Sequence, residues 1–169
     1  LAPYSFFNAF FDKPPIIAFG SAGWKNSTSN KDSVSNIEAT GEFVANLVTR
    51  PLAEAMNKTA ATVPHEVDEF TIAGLTPAAC RQVKAPRVAE SPTALECKLL
   101  QVQQLQDLDG NRLDGWMIIG QVVGVHINRA YIRNGLFDAA AARPIMRSGY
   151  MADYFEATLE TMFRMTRPG

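Results

Sequence analysis

Lys31, Asp32 and Ser33 stand at the start of a helix-like stretch that Gly41 stops, a short way after a small-residue loop opening with Ser21, Ala22 and Gly23. One ammonium group, hydroxyls, free backbone N–H groups and the positive end of a helix dipole are what an oxyanion such as phosphate requires. Upstream lies an aromatic-rich segment, Ala2-Pro3-Tyr4-Ser5-Phe6-Phe7-Asn8-Ala9-Phe10, with Ser5 and Asn8 as its polar exceptions. Next to such a segment, the anion is expected to belong to a molecule that also carries a flat ring. Taken singly, each feature has a plainer reading. Lys and Ser are common before helices, and aromatics at strand spacing usually build a core.

Other polar residues are less telling. Asn46 interrupts Phe43-Val44-Ala45-Asn46-Leu47-Val48 and must find partners, in the backbone or in a ligand. His126 ends an apolar strand in Gly124-Val125-His126-Ile127, where a lone histidine is more often structural than catalytic. His65 lies in a loop with no visible partner. No Ser/His/Asp arrangement, His/Cys metal cluster or paired carboxylates stand out. If the protein is an enzyme, its reactive group is therefore expected to be a bound cofactor, with the chain supplying position and polarity.

The elements that must position these residues read as mostly β. Strand-like runs cover 4–11, 16–20, 42–48, 95–105 and 116–127, and Asp109-Gly110 is the strongest hairpin signal, joining the last two. In the first arm Leu95, Cys97 and Leu99 share one parity, whereas Leu100 and Val102 share the other, which predicts a bulge. The second arm, with Met117-Ile118-Ile119 and Val122-Val123, is apolar on both faces and needs cover from a helix or a second subunit. Short helices are expected at 33–40, capped by Asp32 or Ser33; at 52–59, capped by Thr49 and burying Leu52, Ala55 and Met56; at 67–73; and near 138–142. There is no βαβ alternation and no Gly-x-Gly-x-x-Gly, so a barrel is favoured over a doubly wound sheet.

With 169 residues and 18.5 kDa the chain reads as a single domain, 1–169, with room for a real core. A net charge of -1 gives no electrostatic reason to expect nucleic acid or an anionic membrane. No apolar run approaches the roughly 20 residues of a membrane span. Cys80 and Cys97 lie far apart, and reduced, buried thiols in a cytoplasmic protein are the favoured reading. Leu1-Ala2-Pro3 reads as the middle of something, so a first N-terminal strand is expected to be missing.

In collinear order, several segments resemble the flavin reductase-like, FMN-binding split-barrel family, which includes flavoredoxin. They are Pro3 to Phe10, the Ser21-Ala22-Gly23-Trp24 loop, Lys31-Asp32-Ser33-x-x-Asn36-Ile37, and Gly41-Glu42-Phe43-Val44-x-Asn46-Leu47-Val48. Further on they include Val67-Asp68-Glu69-Phe70-x-x-Ala73-Gly74-Leu75-Thr76, Pro86-Arg87-Val88-Ala89-Glu90-Ser91-Pro92, Leu95-Glu96-Cys97-Lys98-Leu99 and Gly120-x-Val122-Val123-Gly124-x-His126-Ile127. Arg147 and Gly149 echo the family more weakly, and the tail 150–169 departs from it.

The resemblance implies a fold that is mainly β with peripheral helices: a six-stranded antiparallel split β-barrel, usually a homodimer, with FMN near the subunit interface. It implies that Pro3, Tyr4, Ser5, Phe6 and Asn8 line the isoalloxazine ring, and that Ser21, Ala22, Lys31, Asp32 and Ser33 hold the phosphate end. Asn46 would be a further contact, and His126 would approach the ring or a pyridine nucleotide. The activity implied is NAD(P)H-dependent reduction of flavin or of an electron-accepting redox partner. The alternative is a non-enzymatic FMN-binding electron carrier of the same fold. A flavin oxidase acting on an amine such as pyridoxamine phosphate lacks support, since no cluster of Arg and Lys for a second phosphate is seen.

Overall fold

The computed structural model describes residues 1–23 and 31–169, so Trp24 of the loop considered above lies outside the described residues. Its centre is a five-stranded antiparallel sheet built from β1 (Phe7–Asp12), β2 (Pro15–Ala22), β3 (Glu42–Asn46), β6 (Thr93–Gln106) and β7 (Arg112–Ile127), in the order β1-β2-β7-β6-β3. Two-stranded ribbons are formed by β4 (Pro77–Ala78) with β5 (Arg87–Val88), β8 (Ile132–Arg133) with β9 (Leu136–Phe137), and β10 (Ile145–Arg147) with β11 (Tyr154–Glu156). Helices α1 (Asp32–Thr40), α2 (Ala53–Lys58), α3 (Glu69–Ala73) and α4 (Ala139–Ala142) sit around them. The expected fold, mainly β with peripheral helices, is what the chain adopts. The main sheet holds five strands where six were expected.

Alternation decides which face is buried. Ile17, Phe19 and Ser21 point one way from β2 and lie opposite Gly120, Ile118 and Trp116 of β7. Val122 continues that face opposite Cys97 of β6, and Phe43 of β3 lies opposite Cys97 from the other side. Against this face α1 lays Val34 and Ile37, three residues apart, closing a core of nine buried side chains that includes Trp116 and Ile118. Gly120 is fixed by packing, because a Cβ there would fall 2.5 Å from the Phe43 ring.

The β6–β7 hairpin turns through Gly110 at φ +82°, as the Asp109-Gly110 pair predicts. The expected bulge is present and repeated, with register shifts at Glu96/Cys97, Leu99/Gln101 and Gln104/Gln106. β7 is apolar on both faces as read, and its outer residues Val123, Val125 and Ile127 stay exposed in the single chain.

Several local expectations are corrected. Helix α1 starts at Asp32 with Lys31 in the capping position, and no side chain caps it; Asp32 sits instead in the first turn, where a carboxylate suits the dipole. The segment at 52–59 opens as a 3₁₀ turn, Arg50–Leu52, before α2, with Thr49 preceding it as expected. Leu52, Ala55 and Met56 are half-buried rather than buried, because Leu52 and Met56 face a cavity. α3 begins two residues late, at Glu69, because the Asp68 carboxylate caps Phe70 N–H at 2.9 Å. β1 begins at Phe7, leaving Pro3, Tyr4 and Ser5 free to line the cavity. No helix among the described residues is long and apolar enough to cross a membrane.

Candidate functional site

A cavity of about 810 Å³ opens between the N-terminal segment, α1, β3, the end of α2, the 85–88 stretch and the β10–β11 ribbon. Its walls are mostly apolar, as ligand sites usually are. Of the residues singled out in the sequence, Pro3, Tyr4, Ser5, Ser33 and Asn46 line it. Tyr4 packs on Phe19 with ring centroids 4.6 Å apart, which fixes the phenol against the core. Among the described residues its buried Oη has no hydrogen-bond partner, and neither has the Oγ of Ser21, a residue only 2% exposed near the end of β2. Burial lifts the Tyr4 phenol above its ordinary value, the Ser33 and Ser21 hydroxyls partly oppose this, and the charges of Asp32 and Glu69 add to it. Tyr4, Ser21 and Ser33 therefore converge at the start of α1.

Buried polar atoms are nearly always paired in native proteins. Two unpaired hydroxyls at a helix N-terminus are polar atoms that a bound ligand would satisfy. Gly23 completes this corner at φ +84°, and a Cβ there would lie 3.6 Å from Lys31 Cε and 3.9 Å from Lys31 Nζ. The ammonium group therefore folds back over the Ser21–Gly23 backbone. The donor set of hydroxyls, helix start and ammonium fits an oxyanion such as phosphate.

The remaining residues fall elsewhere. Phe6 is 75% exposed, stacked over Gly20, while Asn8 turns back on its own strand to accept from Ala9 N–H. Neither lines the cavity, nor do Ser21, Ala22, Lys31 and Asp32, which border it from the loop and the helix start. The Asp32 carboxylate meets His65 Nδ1 at 2.9 Å. Asn46 finds its partner in the backbone, its Oδ1 accepting from Val88 N–H at 2.9 Å and tying β5 to β3.

His126 is set apart from the cavity. Its Nε2 lies 2.6 Å from Glu96 Oε1, and Glu96 is 1% exposed. The same carboxylate accepts from the N–H groups of Arg81, Gln82 and Val83 at 2.6 to 3.1 Å. Burial alone would raise the Glu96 carboxyl, but these donors outweigh it and hold it at about 2. Cys80 brings a third potential metal ligand, with one atom from each of Cys80, Glu96 and His126 lying within 4.8 Å of the others. Both carboxylate oxygens are already engaged within the fold, and burial together with the Glu96 charge pushes the Cys80 thiol up. The cluster pins the 81–83 backbone to β6, and so steadies Ala85, Pro86 and Val88 in the cavity wall.

The sequence reading did not place Glu96 in this role, although a carboxylate between the apolar Leu95 and Cys97 was its signal. Arg147, a faint echo of the family in the sequence, is a cavity residue, and so is Tyr154.

The profile of the flavin reductase like domain matches residues 1–144. The chain belongs to that family. Among its relatives an uncharacterized protein of Aquifex aeolicus is 35% identical over 150 residues, which is 88% of this chain and 72% of that one. An uncharacterized protein of Deinococcus radiodurans is 38% identical over 125 residues, 74% of this chain and 52% of that one. The chain thus spans little more than half to about three quarters of the length of these relatives. Among solved structures, nitrilotriacetate monooxygenase component B from Bacillus cereus superposes with a TM-score of 0.86 at 29% identity, covering 97% of this chain and 78% of that one. Flavoredoxin of Desulfovibrio vulgaris (Miyazaki F) shares the fold, with a TM-score of 0.77 at 22% identity over 98% of this chain and 80% of its own.

Proposed function

We propose that the chain is an FMN-binding flavoprotein oxidoreductase that takes electrons from NAD(P)H and passes them to free flavin or to a redox partner. The observation that carries the reading is the pair of buried, unpaired hydroxyls of Tyr4 and Ser21 beside Ser33, with Lys31 folded over Gly23. When bound, flavin supplies the two-electron chemistry. The chain's part is to bind and orient it. Lys31, Ser33 and the start of α1 hold the phosphate end, Ser21 and Tyr4 donate hydroxyls, and Pro3, Tyr4 and Ser5 form one wall of the ring site. Asp32, Ala22, Phe6 and Asn8 border that wall, and Asn46 holds the facing strand in place. His126 steadies the opposite wall through Glu96 and the 81–83 backbone.

The site is proposed to operate in a homodimer. For 18.5 kDa a compact monomer exposes about 8,200 Å², whereas this chain exposes 11470 Å². The excess leaves apolar surface that a second subunit would cover. It is apolar: Phe6, Phe7, Phe10 and Phe11 stand out along the edge strand, Val123, Val125 and Ile127 along β7, and Phe155, Leu159, Met162 and Phe163 along the tail. A monomer in sedimentation at micromolar concentration would overturn this assignment. Cys97 is a buried thiol and Cys80 a half-buried one, and a reducing, cytoplasmic compartment is part of the proposal.

Titration of the protein with FMN and with riboflavin tests the cofactor. FMN fluorescence is expected to be quenched on binding, and Lys31→Ala to weaken FMN about tenfold with riboflavin little changed, because only FMN carries the phosphate. Flavin spectra that stay unaltered at saturating protein would reject the reading. Steady NAD(P)H oxidation with excess flavin distinguishes a reductase from a carrier, which would be reduced only stoichiometrically.

A further inference from the structure

The cavity is large for one ligand ring, and its lining is electrostatically lopsided. Among the described lining residues the only Lys, Arg or His side chain is Arg147, and the only carboxylate is Glu42. Glu42 is already committed, its oxygens accepting from Lys98 Nζ and Lys84 N–H at 2.6 Å each. Arg147 ends β10 and lies directly opposite Tyr154 of β11, with its guanidinium carbon 5.0 Å from the centre of that ring. One Nη1–H is donated to Met151 O, and among the described residues no carboxylate pairs with the group. A guanidinium has five N–H donors, so most of this fork is unspent. The ribbon that carries it is anchored to the body of the fold. Ile145 N–H donates to Val48 O at 3.1 Å, Ala157 N–H donates to Pro144 O at 2.8 Å, and Arg143 pairs with Glu156.

We propose that Arg147 is the anion anchor for a second ligand that enters the cavity beside the flavin. Its planar fork, supported on Tyr154, takes an oxyanion group of the electron donor or acceptor. That group is either the pyrophosphate of a nicotinamide dinucleotide or the carboxylate of an aromatic acid. The assignment rests on the flavin reading above and adds a residue of different position and task. Lys31 sits on the loop side, outside the lining, whereas Arg147 lines the cavity from the β10–β11 ribbon. Arg suits the task better than Lys because its fork matches an oxyanion through two parallel bonds and its face stacks on an aromatic ring.

The test is calorimetric titration of the FMN-loaded protein with NAD⁺, NADP⁺ and benzoate, for wild type, Arg147→Gln and Arg147→Lys. Arg147→Gln is expected to weaken one of these anions by about tenfold or more, the range for a hydrogen bond to a charged group, with FMN affinity within about twofold of wild type. Loss confined to the dinucleotides identifies the pyrophosphate, and loss confined to benzoate identifies a carboxylate. Arg147→Lys keeps the charge and should recover part of the affinity, which a merely structural loss at this position would not predict. If all three anions bind Arg147→Gln as they bind wild type, or none binds wild type while FMN does, the anchor is refuted and the flavin reading stands. Failure of wild type to bind FMN removes the flavin reading first.

Discussion

The Glu96 nest and the Tyr4–Ser21 corner are both polar regions enclosed by an apolar fold, and they are finished in opposite ways. In the nest one carboxylate takes up three backbone N–H groups and a histidine nitrogen, leaving its oxygens fully engaged. In the corner two hydroxyls are buried with no hydrogen-bond partner among the described residues. A buried donor or acceptor left unpaired costs about 1 to 3 kcal/mol. A fold that closes its polar groups in one place and leaves them open in another is self-sufficient at the first and leaves the second for the proposed ligand.

The largest expected effect breaks the closed side. Glu96→Ala orphans the N–H groups of Arg81, Gln82 and Val83 and should cost about 3 kcal/mol or more, read from the urea midpoint at unchanged slope. A loss below about 1 kcal/mol would mean that the loop is held by other contacts. The same carboxylate sets a pH dependence. Its folded value of about 2 lies below its unfolded 4.5, so the stabilisation it gives is fully present above 4.5 and is lost as pH falls through about 2. Glu96→Gln should flatten the acid limb of stability between those values. An unchanged limb would assign acid unfolding to other carboxylates.

The smallest expected effect concerns the open side. Ser21→Ala removes an unpaired hydroxyl, so the free protein should be unchanged or up to about 1 kcal/mol more stable, while FMN affinity falls several-fold. A clear destabilisation of the free protein would show that Ser21 serves the fold, and would merge the two regions into one kind. Between these extremes lie the Lys31 and Arg147 substitutions, which should cost affinity for an anion and little stability.

Much of the fold was legible along the chain because it depends on local rules. The Asp109-Gly110 turn, the stop at Gly41 with φ +70° and the parity switch in the long strand each follow from neighbouring residues. Boundaries were less legible where a side chain redirected the backbone, as when Asp68 capped a helix expected to start at residue 67. The site was only half legible. Tyr4, Ser5 and Ser33 line the cavity, but His126 is tied to Glu96 thirty residues before it, a pairing made by strand register and a bulge. Arg147 comes within reach because the 145–156 ribbon docks on Val48, nearly a hundred residues earlier.

By itself the sequence determined a small, mainly β protein with an aromatic opening segment and a lysine and a serine at a helix start, because alternation, turn chemistry and capping act over a few residues. Only the tertiary structure decided which polar atoms close on each other and which stay open. Pairing across a sheet joins residues far apart in the chain, and burial then fixes the cost of every polar group left without a partner.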